Sequence, residues 1–451
     1  MIYFHNMKEN ISLSNISKFN KQFNSSSSNI KSRNALIQND VNKIAINWDN
    51  FSKINHIYSN TISIELPVTN QKASGRCWGF AGLNLLRLEI VKKYNLSNFE
   101  FSQNHFMFWD KLEKSNYFLE NILKTLDQES DSRIMMHLLQ APVQDGGQWD
   151  MFVNLIEKYG LVPQSVMPET NHSSKSGMMN YLLTHKLREF ASILRGIKKI
   201  NIKKLREHKK EMISEIYTLL CMFLGNPPQI FDWSIKDKNN KFKRFSNIDS
   251  LTFYKKFTKI KLRDKVCLIH APMHNKKMNE LYTVEFLGNV IGGNIIKYAN
   301  VEIKELKSAA INSLKNNEAV WFGCDVGKMF NRDLGIMDMK LYDYENLFNT
   351  SFKMSKSTRL EYCDSVMTHA MLFTGVDINK NKPQKWRVEN SWGNKNGDKG
   401  YYLMSDNWFD EYNYEVVVDR KYLSSKILSI FDLEPKKLNP WDPMGALAIN
   451  Q

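Results

Sequence analysis

Cysteine is scarce in this chain and acidic residues are in deficit. Five cysteines, Cys77, Cys221, Cys267, Cys324 and Cys363, lie irregularly over 451 residues. An odd, sparse set excludes a disulfide framework and fits a reducing compartment. No stretch approaches the ~20 uninterrupted apolar residues of a membrane-spanning helix, so no membrane partner is expected. The first residues, Met1 to Lys8, lack the basic start, apolar block and small-residue cleavage site of a secretory signal. A cytoplasmic protein is the expectation. The start is rich in Ser and Asn, with Glu9 its only acid before Asp40, a composition that also suits a transit peptide. Low complexity is confined to Ser25–Ser28, and there is no internal repeat. Residues 1–47 read as a polar N-terminal arm.

What is present is ordinary globular material: 42% hydrophobic and 12% aromatic residues. At this length the chain holds one large core with an insertion, or two to three domains. Lys and Arg number 62 against 47 Asp and Glu, a formal charge of +15. The excess gathers at Arg195–Lys210 and again at Lys236–Lys265. Two readings stay open: solvated helix faces, or a basic surface for acidic peptides or weak binding of nucleic acid. Lysines at helical spacing without interleaved aromatics argue little for bases.

Past Cys77 the apolar residues Phe80, Leu83, Leu86, Ile90 and Val91 recur at helical spacing, with Gly79, Ala81 and Gly82 between them for close packing. Ser74 and Gly75 supply a turn, so Cys77 falls at a helix N-terminus. Ile62–Pro67 reads as a short extended segment. Residues 101–225 are helix-patterned, broken at Pro142, Gly146, Gly147, Pro163 and Pro168, with a firm stop at 225–228. Strand-like runs follow at Val266–Ile269 and Tyr282–Phe286. From Ala319 the pattern turns to strands: Ala319–Cys324, Ala370–Val376, Trp386–Glu389, Tyr401–Met404 and Tyr414–Val418.

Three residues supply the parts of a thiol acyl-transfer site. Cys77 is a nucleophile, and a helix N-terminus favours its thiolate. His369, before a strand, is a base that crosses a cleft. Asn390, in the run Asn390-Ser391-Trp392-Gly393, holds the imidazole in one orientation, with Trp392 shielding that bond. Gln71, six residues before Cys77, adds a side-chain donor for an oxyanion. No metal or cofactor is expected. Cys267, His270 and His274 have ligand-like spacing, but Pro272 interrupts them and they read as structural. The run Gly323–Lys328 has three residues between its glycines and Met329 where a phosphate loop needs Ser or Thr.

At these residues the chain resembles the bleomycin hydrolase or aminopeptidase C family, a branch of the papain-like cysteine peptidases. The likeness extends to Phe101–Lys111, Asp145–Asp150, Trp321–Lys328, Lys385–Gly393 and Trp441–Ala448, in family order. It implies an α+β fold of two papain-like lobes and a thiol aminopeptidase acting on peptides with a free N-terminus. It places the Cys77 lobe at 48–164 and the His369 and Asn390 lobe at 301–435. The thiol and the imidazole stand 292 positions apart, against ~130–150 in papain-like enzymes, which leaves 165–300 as an inserted helical domain. In the resembling family such an insertion builds a homohexamer around a closed chamber. Gly146 and Gly147 resemble the paired glycines that receive the substrate as an antiparallel strand, and Thr368 is a further substrate-binding candidate. The arm 436–451 resembles the tail whose terminal carboxylate meets the substrate amine, which implicates Ala448. Here Ile449, Asn450 and Gln451 follow, so trimming is one expectation. If the arm takes another path, endopeptidase activity is the alternative.

Overall fold

The structure, a computed structural model, describes residues 10–197 and 201–445. Lys198, Lys199, Ala448 and the three residues after it lie outside the described residues. The chain divides into two compact units, 1–55 with 338–355, and 56–337 with 356–451.

The smaller unit corrects the reading of a polar arm. Its described part forms helices Leu13–Ser25, Ser27–Leu36, Val41–Ala45 and Trp48–Phe51. Four of its polar residues are helix caps. Ser12, Ser26, Asp40 and Asn47 each accept a backbone N–H from the first turn that follows, which satisfies donors a helix start leaves unpaired. The segment 338–355 completes the unit: Asn47 N–H donates to the Leu341 carbonyl at 2.9 Å, and Tyr344 donates to Asn42 Oδ1.

In the larger unit one helix is central. Cys77–Tyr94 buries residues on every face of its first three turns, the mark of a helix inside a core. A Cβ on Gly79 would stand 2.3 Å from the Phe106 ring, and one on Gly82 2.6 Å from that of Phe152. These glycines admit the helices Gln103–Lys124 and Trp149–Tyr159 against it.

On the other side lies a largely antiparallel sheet. Its central order is Lys265–Ile269, Asn413–Asp419, Val320–Cys324, His369–Asn379, Lys382–Glu389 and Tyr401–Ser405. Register sets Ala370 opposite Gly323, and Gly323 opposite Glu415. The five strands expected after Ala319 are all present, within a few residues of their expected ends. Ile62–Pro67 is not a strand, since pairing stops at Asn60–Thr61.

The stretch 165–300 is not wholly helical. It holds the helices Gly177–Gly196 and Ile202–Leu224 and the hairpin Phe231–Lys236 with Phe242–Ile248. Its last part, Lys265–Ile269, Glu280–Val284 and Tyr298–Asn300, belongs to the main sheet. The physical reason is edge pairing: Lys265–Ile269 hydrogen-bonds to Asn413–Asp419, a partner some 150 residues away that no local pattern reveals. In the basic run, Arg206 and Lys209 both pair with Glu120 at 3.1 and 2.5 Å, and Arg195 donates to the carbonyls of Thr125 and Gln128. Three of its charges are thus engaged within the chain, although the Arg206 side chain stays about half exposed.

Candidate active site

Cys77 is the first residue of its helix. The capping position belongs to Arg76, whose guanidinium forks onto Glu169 at 2.9 and 2.6 Å and makes no cap. Among the described residues the first N–H groups of the helix have no side-chain acceptor from the capping position. The backbone N–H groups of Ala370, Trp78 and Cys77 itself face the sulfur and favour the thiolate. Burial opposes them and pushes the thiol up to about 11, with the Asp145 charge adding in the same direction.

His369 begins the strand His369–Asn379. Its Nε2 lies 2.9 Å from Asn390 Oδ1, which also accepts the Ser391 N–H at 2.7 Å. An amide oxygen only accepts, so Nε2 carries the hydrogen and Nδ1 is left as the basic atom. Burial lowers the imidazole to about 4, the Asn390 bond works against that, and the Arg332 charge adds to it. Trp392 lies against the His369 ring with centroids 4.8 Å apart.

Cys77, His369, Thr368 and Gly147 line one cavity together with Trp78, Gln148, Trp321, Met367 and Ala370. Gln71 and Gly146 are not among the residues that line it, but the orientation of the Gln71 amide is set. Oε1 accepts the Ser391 hydroxyl at 2.5 Å and Nε2 donates to the Ser74 carbonyl at 2.6 Å, leaving the second Nε2 hydrogen for another acceptor. Packing alone requires glycine at 147: a Cβ there would meet the Trp78 indole at 2.6 Å. Thr368 donates to Asp325 Oδ1 at 3.3 Å. The His270 and His274 rings go separately to the Val301 carbonyl and the Glu361 carboxylate.

Sequence reasoning passed over the charged residues behind these walls. Lys111 reaches Asp145 Oδ1 at 2.5 Å, and neither side chain is more than 2% exposed. Lys114 donates to Asp110 and to the carbonyls of Gln144 and Gly146, the last at 2.6 Å. The signal that could have found them is positional: two lysines three apart in a helix otherwise lined with Phe106, Phe108, Phe118 and Leu119.

What this arrangement can do is add a thiol to a carbonyl, move its proton to an imidazole, and face the resulting oxyanion with N–H donors. Residues 10–445 match the sequence profile described as the peptidase C1-like family. The chain is 44% identical to an aminopeptidase C of Listeria innocua over 443 residues, 98% of this chain and 100% of that one. It is 43% identical to a human bleomycin hydrolase, covering 95% of this chain and 96% of that protein. A crystal structure of PepW from Lactobacillus rhamnosis superposes with a TM-score of 0.96 at 45% identity, covering 98% of this chain and all of that one.

Proposed function

The chain belongs to the peptidase C1-like family, and on that premise we propose that it is a papain-like cysteine aminopeptidase that removes N-terminal residues from short peptides through a Cys77 thioester. The observation that carries the reading is the His369–Asn390 bond beside a cysteine at an uncapped helix start.

In this mechanism the Cys77 sulfur attacks the carbonyl carbon of the first peptide bond while His369 Nδ1 takes the thiol proton. The oxyanion is held by the Cys77 backbone N–H and by Gln71 Nε2. Collapse breaks the C–N bond, and the leaving amine takes the proton back from His369. Water then attacks the thioester, again giving its proton to His369. The C–S bond breaks, the free amino acid leaves, and the thiol is restored. Asn390 keeps the imidazole in the tautomer that both halves need. Gly146, Gly147 and Thr368 take the substrate backbone. Neither metal nor cofactor enters any step.

The restriction to one end is assigned to the C-terminal arm, with a carboxylate at or near Ala448 pairing with the substrate amine. A charged pair is strong only at hydrogen-bonding separation, and three further residues lengthen the chain by ~10 Å. Ile449 to Gln451 are therefore assigned to self-trimming, which mass spectrometry of wild type and Cys77→Ala reads directly. The helices Gly177–Gly196 and Ile202–Leu224 leave Met178, Tyr181, Leu182 and Met222 exposed in the single chain. These helices are assigned to assembly of a cytoplasmic homohexamer, about six times 52.8 kDa on sizing.

The deciding experiment compares aminoacyl substrates with free and with blocked amines. Free-amine substrates should turn over and blocked ones should not. Thiol alkylation should stop the reaction and chelators should leave it unchanged. Cys77→Ala should retain less than a tenth of wild-type activity, given the ~10⁶-fold cost of losing a protease nucleophile. Turnover of blocked substrates would make the protein an endopeptidase instead.

A further inference from the structure

Asp145 is the residue before Gly146 and Gly147, and it gathers more hydrogen bonds than its place at a turn requires. Its Oδ2 accepts the Gly75 N–H at 2.8 Å and the Ser176 hydroxyl at 2.5 Å. Its Oδ1 accepts Lys111 Nζ at 2.5 Å and Asn180 Nδ2 at 2.7 Å. Its own carbonyl accepts Trp78 Nε1 at 2.7 Å. Burial alone would raise this carboxyl. The Lys111 charge and the bonds from Lys111, Ser176 and Gly75 outweigh it and hold the group well below the usual carboxylate range.

These five bonds join segments that the reaction uses together. Gly75 lies in the loop between Gln71 and Cys77, the two residues that present the oxyanion donors. Within that loop Gln71 and Ser74 hold each other by reciprocal bonds at 2.6 and 2.7 Å, so a shift at Gly75 is passed to the Gln71 amide. In the same cavity as Cys77, Gly147 packs without clearance on Trp78, whose indole N–H ends on the Asp145 carbonyl. The loop is further tied to 174–176, where Ala73 N–H donates to the Ser174 carbonyl at 3.0 Å.

We propose that Asp145 is a positioning residue for the peptidase reaction: its carboxylate holds the Gln71–Cys77 loop in register with Gly146 and Gly147, so that the oxyanion donors and the substrate-binding edge form one rigid wall. The proposal rests on the reading of the site as a thiol peptidase. The charge itself works against the chemistry, because a carboxylate this close makes the Cys77 thiolate harder to form. A group that hinders ionisation of the nucleophile while bonding both walls acts through geometry, and this sets the two effects of removing it at opposite signs.

The test uses the full chain and two variants. Asp145→Asn keeps the shape but loses the charge. Its kcat should fall roughly a hundredfold, the scale of a lost oxyanion donor, while the pH at which Cys77 becomes half-alkylated by iodoacetamide moves down. Ser176→Ala removes one donor to the oxygen that holds Gly75 and leaves the charge in place. Its kcat should fall about three- to tenfold with KM within about twofold, the pattern of an interaction used in the transition state. Hydrogen exchange should quicken in the peptide covering 71–77 and not across the rest of the helices. Should Asp145→Asn not fold, Ser176→Ala decides alone. Wild-type kcat in Asp145→Asn overturns the proposal. So does Ser176→Ala with exchange at 71–77 unchanged, or raised uniformly throughout the unit. Failure of the wild type to cleave any free-amine substrate would instead sink the peptidase reading, while the exchange result still stands or falls by itself.

Discussion

Arg87 and Glu389 meet at 2.7 Å with their side chains only 1% and 2% exposed. Arg87 sits on the helix that Cys77 begins, and Glu389 is the residue before Asn390. The same Glu389 oxygen accepts Asn84 Nδ2 at 3.0 Å from one turn earlier on that helix. A single buried carboxylate therefore spaces the Cys77 helix from the strand that leads to Asn390. Burial raises the Glu389 carboxyl and the Arg87 charge opposes the rise.

Breaking that pair should be costly. Arg87→Ala leaves Glu389 buried without its cation, for which about 3–5 kcal/mol of lost stability is expected. Replacing both partners, as Arg87→Leu with Glu389→Leu, should recover much of the loss, because the desolvation of two charges disappears with them. Urea denaturation of the two variants checks this. A double variant no more stable than Arg87→Ala would contradict the account.

His369→Ala should cost more than Asn390→Ala. The first removes the proton acceptor and should lower kcat by ~10⁵–10⁶-fold. The second leaves an imidazole free to rotate and to hold its proton on either nitrogen, so activity should stay at least roughly tenfold above that of the His369 variant. Equal losses in two folded proteins would mean that Asn390 does something other than orient the ring.

The acid limb of kcat/KM should lie near pH 4. The working thiol–imidazole pair holds one proton between its two members, and activity is lost when it takes up a second. Burial lowers His369 from 6.5 to about 4, so the pair stays competent between those values, where an exposed histidine would already be charged. Below about pH 4 the rate should fall tenfold per unit. A midpoint at 6 or above, read on a substrate whose own ionisation is constant there, would show that the ring is not desolvated in the working enzyme.

Glu415 offers a prediction about stability. It is fully buried beside Cys267, and among the described residues it forms no ion pair. Burial pushes its carboxyl from 4.5 up to about 8, with the Asp150 charge adding to the rise. A carboxyl raised on folding contributes stability that is present below its unfolded value and is lost as pH climbs through the folded one. Glu415→Gln should therefore match wild type near pH 4 and exceed it at pH 7 by on the order of 2–4 kcal/mol. Thermal or urea unfolding at both values measures the difference, and equal stability at pH 7 would refute it.

The amino-acid sequence by itself determined the parts whose physics is local. Cys77 at a helix start follows from the Ser74-Gly75 turn and the apolar spacing after it. His369 at a strand start follows from the apolar run behind it, and the helix-packing glycines from their place beside Cys77. Each needs only residues within a turn or two. The helices Ser27–Leu36 and Val41–Ala45 were obscured because their signal is capping by Ser26 and Asp40, which looks the same as plain polarity when no apolar stripe accompanies it. In Leu13–Ser25 the stripe of Leu13, Ile16, Phe19 and Phe23 was present and passed over. Tertiary structure alone decided the rest. Lys111 with Asp145, Arg76 with Glu169 and Arg87 with Glu389 are 34, 93 and 302 residues apart. A charge is stable in the interior only when folding brings its partner within hydrogen-bonding distance. No window of sequence contains both members of such a pair, so the scaffold that holds the site was invisible until the chain closed on itself.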